Sequence, residues 1–356
     1  MTRLRITCVW TLSVAAAVVT FGSRPLPAAS PCEWNGIDRI VAVGDVHGAY
    51  DRFLEILKIA GVLDADAHWA AGNAHVVQLG DIVDRGADSR KALDLVRRLE
   101  REAQTSGGRL HLLLGNHEVA RMLGDLRLTV AGEYEAFAKV DSPSVRDNYL
   151  KTLKPGNNFE REQLIEQTPL GFVEMRQAFG RDGDYGRWLR QLPVTIKIDG
   201  FQFVHGGISP AVAPLGCQAI NDQVRRELTN DLDKTRAAPL ATLAARPDGP
   251  LWYRGLSQEP DTFVPQIDEI LAKTHSRAII IGHTVTASGR ITPRFDGRII
   301  QIDTGMQPAY VQGGRASALE IRKREATAIY VDRRDPVSMA REGPGAVAPE
   351  PAWSRR

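Results

Sequence analysis

Six residues in this chain carry side chains that can hold a transition metal, and each sits beside glycine in a short segment. The segments are Gly44-Asp45-Val46-His47-Gly48, Gly80-Asp81-Ile82-Val83-Asp84-Arg85-Gly86, Gly115-Asn116-His117-Glu118, Val204-His205-Gly206-Gly207 and Gly282-His283-Thr284. The donors are Asp45, His47, Asp81, Asn116, His205 and His283. Carboxylate, amide oxygen and imidazole together suit manganese, iron or zinc better than calcium or magnesium alone. Cysteine is absent from the set, which excludes a structural zinc knot. So many donors exceed the needs of one catalytic ion with an open position, and they suit two ions sharing one bridging carboxylate.

Strands must position these residues. Ile40–Val43, His75–Leu79 and Leu110–Leu114 are short apolar runs, and each ends in Gly-Asp or Gly-Asn. Amphipathic stretches at about 50–60 and 89–103 separate them, which predicts βαβ units and a sheet buried on both faces. Polar site residues in such sheets gather beyond the carboxyl ends of the strands. Residues 119–192 read as a helical insertion covering one edge of the site. Strands resume at 194–198, 201–204, 278–281, 299–302, 318–321 and 328–331, and their spacing predicts a second sheet. The fold class is α/β.

The motif order resembles the calcineurin-like metallophosphoesterases, and Asp84-Arg85-Gly86 resembles their phosphoprotein phosphatase branch. Leu251-Trp252-Tyr253-Arg254 and Ile302-Asp303-Thr304-Gly305 are most similar to the bacterial Shewanella-like phosphatases. That resemblance spans about 40–321 and implies a β-sandwich flanked by helices. It implies that Asp45 and His47 hold one metal, Asp81 bridges, and Asn116, His205 and His283 hold the second, with manganese favoured over iron or zinc. A hydroxide between the metals would attack phosphorus, His117 would protonate the leaving oxygen, and Asp84 would orient His117. Arg85 and Arg254 would grip the phosphate, where a planar guanidinium can bond two oxygens.

The implied function is hydrolysis of a phosphomonoester, with a phosphorylated protein as substrate and no phosphoenzyme. A dinucleoside polyphosphate hydrolase and a binding scaffold without activity are the alternatives. Intact His117, Asp84 and donor set speak against the scaffold. A surface ion pair is the plainer reading of Arg85, an ordinary surface arginine that of Arg254, and a turn residue that of Asp303. Glu118 reads as a neighbour polariser or as a helix-start acid. His68, His75, His111 and His275 have no motif around them and read as surface or core residues.

Composition bounds the rest. With 43% hydrophobic and 25% charged residues and a formal net charge of +2, the 356-residue chain shows no basic signature for nucleic acid. Arg3 and Arg5, then an apolar stretch from Ile6 to Phe21, then small residues and prolines, form an export-signal pattern over 1–30. Leu26-Pro27-Ala28 is an imperfect cleavage site, so periplasmic release, secretion and an uncleaved membrane anchor all stay open. Cys8 lies in that segment, leaving Cys32 and Cys217 as either one bridge or two free thiols. The metallophosphoesterase domain is assigned to 31–334, and the Pro-, Gly- and charge-rich tail, 335–356, reads as disordered. The oligomeric state is unreadable.

Overall fold

Val41 and Val43 face one side of their strand and Ile40 and Ala42 the other, and this alternation recurs through two six-stranded sheets. The computed structural model describes residues 31–340. Its strands begin with β1 (Glu33–Trp34), β2 (Arg39–Val43), β3 (His75–Gln78), β4 (Arg109–Leu112), β5 (Thr195–Ile198) and β6 (Phe201–Val204). They continue with β7 (Ala278–Ile281), β8 (Thr292–Arg294), β9 (Ile299–Gln301), β10 (Ser317–Arg322), β11 (Glu325–Tyr330) and β12 (Arg334–Val337). One sheet has the order β12-β11-β10-β2-β3-β4 and the other β1-β5-β6-β7-β9-β8.

The sheets pack face to face through Ile40, Ala42, Val77, Leu79, Ile196, Phe203, Ile280 and Ile300. Helices cover the outer faces. Helix α1 (Tyr50–Ile59) contributes Phe53, Ile56 and Leu57, and α2 (Ser89–Thr105) contributes Leu93, Val96 and Leu99. Between β4 and β5 lie α3 (Asn116–Leu123), α4 (Ala131–Glu135), α5 (Ser142–Leu153), α6 (Asn158–Gln167), α7 (Phe172–Phe179) and α8 (Asp184–Leu189), the insertion expected over 119–192. A second helical stretch went unread in the sequence. It comprises α9 (Gly216–Thr229), α10 (Leu232–Ala237), α11 (Gly255–Gln258) and α12 (Val264–Thr274), and α9 and α12 bury Ile220, Val224, Ile267 and Ile270.

Two expectations are corrected. The hairpin of β10 and β11 does not join the second sheet; β10 pairs antiparallel with β2, Leu319 opposite Ala42 and Ile321 opposite Ile40. Leu319 and Ile321 then share the inter-sheet core with Ile40 and Ala42, which satisfies the same alternation from the other sheet. The domain also runs past 334, because β12 pairs with β11 through Val337. The proposed export segment, 1–30, and the tail from 341 onward lie outside the described residues. Among the described residues no helix is long and apolar enough to cross a membrane.

Cys32 and Cys217 form a disulfide with their Cα atoms 6.2 Å apart, tying the entry to β1 to the first turn of α9. His75 and His111 prove to be a buried pair, His111 Nε2 lying 3.1 Å from His75 Nδ1, with the Trp34 ring 4.5 Å from that of His111. Burial pushes His75 down to about 4 and His111 to about 3. Both are therefore neutral in the folded state and gain protons more readily when unfolded, where histidine titrates near about 6.5. Their stabilising effect is complete above that value and is lost as pH falls through about 6.5 toward the folded values. Urea midpoints measured from pH 7.5 down to 4.5 should fall, and the fall should be shallower in a His75→Gln/His111→Gln variant.

Candidate active site

Six parallel strands, three in each sheet, end at one place. β2, β3 and β4 run parallel and lead into Asp45, Asp81 and Asn116. β6, β7 and β9 run parallel and lead into His205, His283 and Asp303. Gln78 ties the strand ends together, its amide donating to the carbonyls of Gly44 and Gly80 at 2.9 Å and accepting from Gly80 N at 2.7 Å. Glycine is required where the loops cross. A Cβ on Gly115 would strike the Asp81 carboxylate, and one on Gly282 would strike that of Asp45.

The structure gathers all ten residues singled out in the sequence around a cavity of about 320 Å³. Nine line it; His205, fully buried, stands behind with Nε2 3.3 Å from Asp81 Oδ2. The same Asp81 oxygen lies 3.7 Å from His47 Nε2 and 3.7 Å from His117 Nε2. Asn116 Oδ1 lies 2.9 Å from His205 Nε2, and two ligand atoms bound to one ion at about 2.1 Å also stand about 3 Å apart. His47 and His205 spend Nδ1 on the carbonyls of Val83, at 3.0 Å, and Leu79, at 2.8 Å. That leaves Nε2 of each turned to the cluster, the orientation of ligating histidines. His283 Nε2 is buried without a partner. Among the described residues, His47, Asp81 and His117 form one group with metal-ligand spacing, and Asp81, His205 and His283 form another.

The charges make the same demand. Burial, with Asp303 and Asp81 nearby, holds the Asp45 carboxyl well above the usual range. Burial and Asp81 likewise push Asp303 to about 6. Asp81 stays well below the usual range, because His205, His117 and His47 outweigh its burial. Carboxylates this crowded and dry are costly until cations offset them, and two dications would do so. Burial pushes His47 to about 4 and His283 to about 2, so both are neutral donors. His117 goes the other way: burial lowers it, but Asp81 and the bond to Asp84 prevail and raise it to about 8. Its Nδ1 donates to Asp84 Oδ2 at 2.7 Å.

Backbone strain is concentrated here. His47, Asp81, Asp84, Arg85 and His283 all have positive φ, between 49° and 69°. Such conformations cost of order ~1–3 kcal/mol each and persist only when the surroundings over-determine them. Glu118 is part of that determination. Its carboxylate accepts the N–H groups of Asp81 at 2.8 Å, Ile82 at 2.8 Å, Val83 at 3.2 Å and Gly115 at 2.9 Å, holding the loop after β3.

Arg85 and Arg254 both reach the cavity. The Arg85 guanidinium carbon lies 3.6 Å from the centre of the Tyr310 ring, and Arg254 Nη1 is braced by the His283 carbonyl at 3.0 Å and Thr284 Oγ1 at 2.8 Å. Sequence reasoning missed Tyr310, Arg121 and Glu133 and undervalued Asp303. Only Asp303 had a readable signal, since it follows an apolar strand as the other site residues do. Tyr310 arrives on a loop with no pattern around it.

Arginines beside paired cation-binding groups call for an anionic oxygen ligand, and with a proton-bearing imidazole between them the class is a metal-dependent phosphoesterase. A model of the calcineurin-like phosphoesterases matches residues 38–287, and the chain belongs to that family. It is similar to Shewanella-like protein phosphatase 2 of Arabidopsis thaliana, 30% identical over 305 residues covering 80% of this chain and 75% of the relative. Shewanella-like protein phosphatase 1 of Plasmodium berghei is 25% identical, covering 77% of this chain and 68% of the relative. Among solved structures, the cold-active protein-tyrosine phosphatase of a psychrophilic Shewanella species aligns with a TM-score of 0.68 and 28% identity, covering 87% of this chain and 83% of that one. The protein is a hydrolase of this family.

Asp81→Asn should lose activity and most bound metal together. Gly115→Ala, whose Cβ would press on both the carboxylate and the backbone nitrogen of Asp81 without changing its charge, should weaken metal binding by on the order of 10–100-fold. Metal content after dialysis, measured by plasma mass spectrometry, checks both; retention of two metals by Asp81→Asn would refute the bridge.

Proposed function

We propose that the enzyme is a phosphoprotein phosphatase acting on phosphotyrosine with two manganese ions. Asp45, His47 and Asp81 would hold one ion, and Asp81, Asn116, His205 and His283 the other. The observation that carries the reading is what the histidines around Asp81 do with Nδ1: His47 and His205 spend it on backbone carbonyls, while His117 spends it on the Asp84 carboxylate at 2.7 Å. Neutral imidazoles suit ligation and a protonated one suits general acid work. A carboxylate behind Nδ1 favours the imidazolium that donates from Nε2, so we assign His117 as the acid rather than a ligand, although it falls within the spacing of the first metal group.

When bound, the ions supply Lewis-acid charge and acidify a water. Arg85 and Arg254 bind the phosphate oxygens, each braced from behind by Tyr310 or by Thr284 and the His283 carbonyl. His117 donates its Nε2 proton to the leaving oxygen while Asp84 keeps Nδ1 occupied. No Ser or Cys lines the cavity among the described residues, which supports direct attack without a phosphoenzyme. Tyrosine is favoured by the aromatic wall of Trp252 and Tyr310 and by the likeness to a protein-tyrosine phosphatase. A polypeptide is favoured by a second, largely apolar cavity of about 760 Å³, which shares Trp252 and Arg254 with the site and adds Leu123 and Leu240. We also infer export to the periplasm or beyond, since the Cys32–Cys217 disulfide suits an oxidising compartment.

The test is hydrolysis of p-nitrophenyl phosphate and of matched phosphotyrosine and phosphoserine peptides, with protein stripped by chelator and then supplied with manganese. Stripped protein should be inactive, manganese should restore it, and the phosphotyrosine peptide should be preferred. Preference for phosphoserine would overturn the substrate, and silence with every metal would overturn the reading. His117→Asn should cut turnover of the phosphotyrosine peptide by on the order of 10²–10⁴, and that of p-nitrophenyl phosphate far less, with metal content intact.

A further inference from the structure

Behind Asp84 lies a buried ion cluster that the reading above leaves unused. Asp84 gives Oδ2 to His117, while its other oxygen, Oδ1, accepts from the Arg121 guanidinium and from the Thr129 hydroxyl at 3.1 Å. Arg121 Nη2 also donates to Glu133 Oε1 at 2.7 Å. Glu133, on α4, accepts the backbone N–H of Asp84 at 3.1 Å and that of Val130 at 3.2 Å. Side-chain exposure is 1% for Arg121, 3% for Asp84 and 1% for Glu133.

Stability alone is a poor account of this cluster. A buried ion pair is often no better than apolar residues of the same shape. Here Arg121 Nε and Nη1 are also buried without partners, because three acceptors converge on Nη2. What the cluster does achieve is geometric. Both oxygens of Asp84 are committed, so its carboxylate cannot rotate, and the His117 ring bonded to it is held with Nε2 toward Asp81 and the cavity.

We propose that Arg121, with Thr129 and Glu133 behind it, is a positioning residue that locks the Asp84–His117 pair in its proton-donating orientation. The inference rests on His117 being the acid. In that step the bond from phosphorus to the leaving oxygen breaks and the bond to the attacking oxygen forms. The proton on His117 Nε2 passes to the leaving oxygen, and Asp84 neither gains nor loses one. The helical insertion thereby becomes part of the catalytic apparatus, since α4 supplies Glu133.

A leaving-group series separates this role from a merely structural one. p-Nitrophenolate departs with little need of a proton, whereas phenyl and alkyl phosphates need one. Full-length wild type, Arg121→Leu, Arg121→Lys, Thr129→Val and His117→Asn are compared for kcat, KM and metal content with each ester. Arg121→Leu should lose on the order of 10²-fold in kcat on phenyl phosphate and under about tenfold on p-nitrophenyl phosphate, with KM and metal unchanged. Arg121→Lys, which keeps the charge, should recover much of the selective loss. Should the leucine variant fail to fold, Thr129→Val decides: it keeps the ion pairs, removes one bond to Asp84 Oδ1, and should show a several-fold loss confined to poor leaving groups. An equal loss across the series, no loss in Thr129→Val, or a loss traced to metal or KM overturns the proposal. If His117→Asn itself shows no selective loss, the acid assignment fails rather than the role of Arg121.

Discussion

The constraint on which the rest depends is the burial of carboxylates at the meeting point of two sheets. Asp81 is 2% exposed, Asp45 4% and Asp303 2%, and Glu118 lies just beneath with no exposure. Water cannot solvate them, so their charge must be met by the protein or by bound cations. Glu118 is met by four backbone N–H groups, and Asp84 by Arg121, Thr129 and His117. Asp81 has imidazoles on several sides. Asp45 and Asp303 have far less, and their raised pKa values mark where positive charge is still wanted.

That arrangement explains the architecture around it. Parallel strands from both sheets converge, so each contributes a side chain at its carboxyl end, and neither sheet alone holds a complete donor set. The loops must turn sharply and pass within contact of one another. Glycines at 115 and 282 leave room for the carboxylates, and non-glycine residues at 47, 81, 84, 85 and 283 accept strained backbone. Local strain of this kind is sustainable because helices pack both outer faces and the inter-sheet core is close to fully buried.

Around the metal-binding centre, the binding groups are held from outside. Tyr310 lies under Arg85, Thr284 braces Arg254, and the loop before α4 takes the Arg85 N–H through the Leu128 carbonyl at 3.0 Å. A guanidinium braced by its neighbours loses less freedom on binding a phosphate than one free to rotate. The insertion between β4 and β5 therefore belongs to the site as well as to the surface, through Leu128, Thr129 and Glu133.

The sequence by itself determined the donor types, their place after apolar runs, and the βαβ opening. These follow from local rules: period-two burial, glycine at tight turns, and polar residues at strand ends. The ten residues named from it do converge: those in the strand-end motifs because a parallel sheet gathers them at its carboxyl edge, and Arg254 because the loop before α11 packs against His283 and Thr284. Only the tertiary structure decided which sheet receives the hairpin of β10 and β11, since an alternating strand satisfies the same burial from either side. It alone joined Cys32 to Cys217, brought Tyr310 under Arg85, and showed that Asp303 is the sixth strand-end residue rather than a turn. Arg121 and Glu133 were equally hidden: a charged residue on a helix reads as solvated until packing buries it. Periodicity fixes which way a side chain faces, but what it meets there depends on elements far away in the chain.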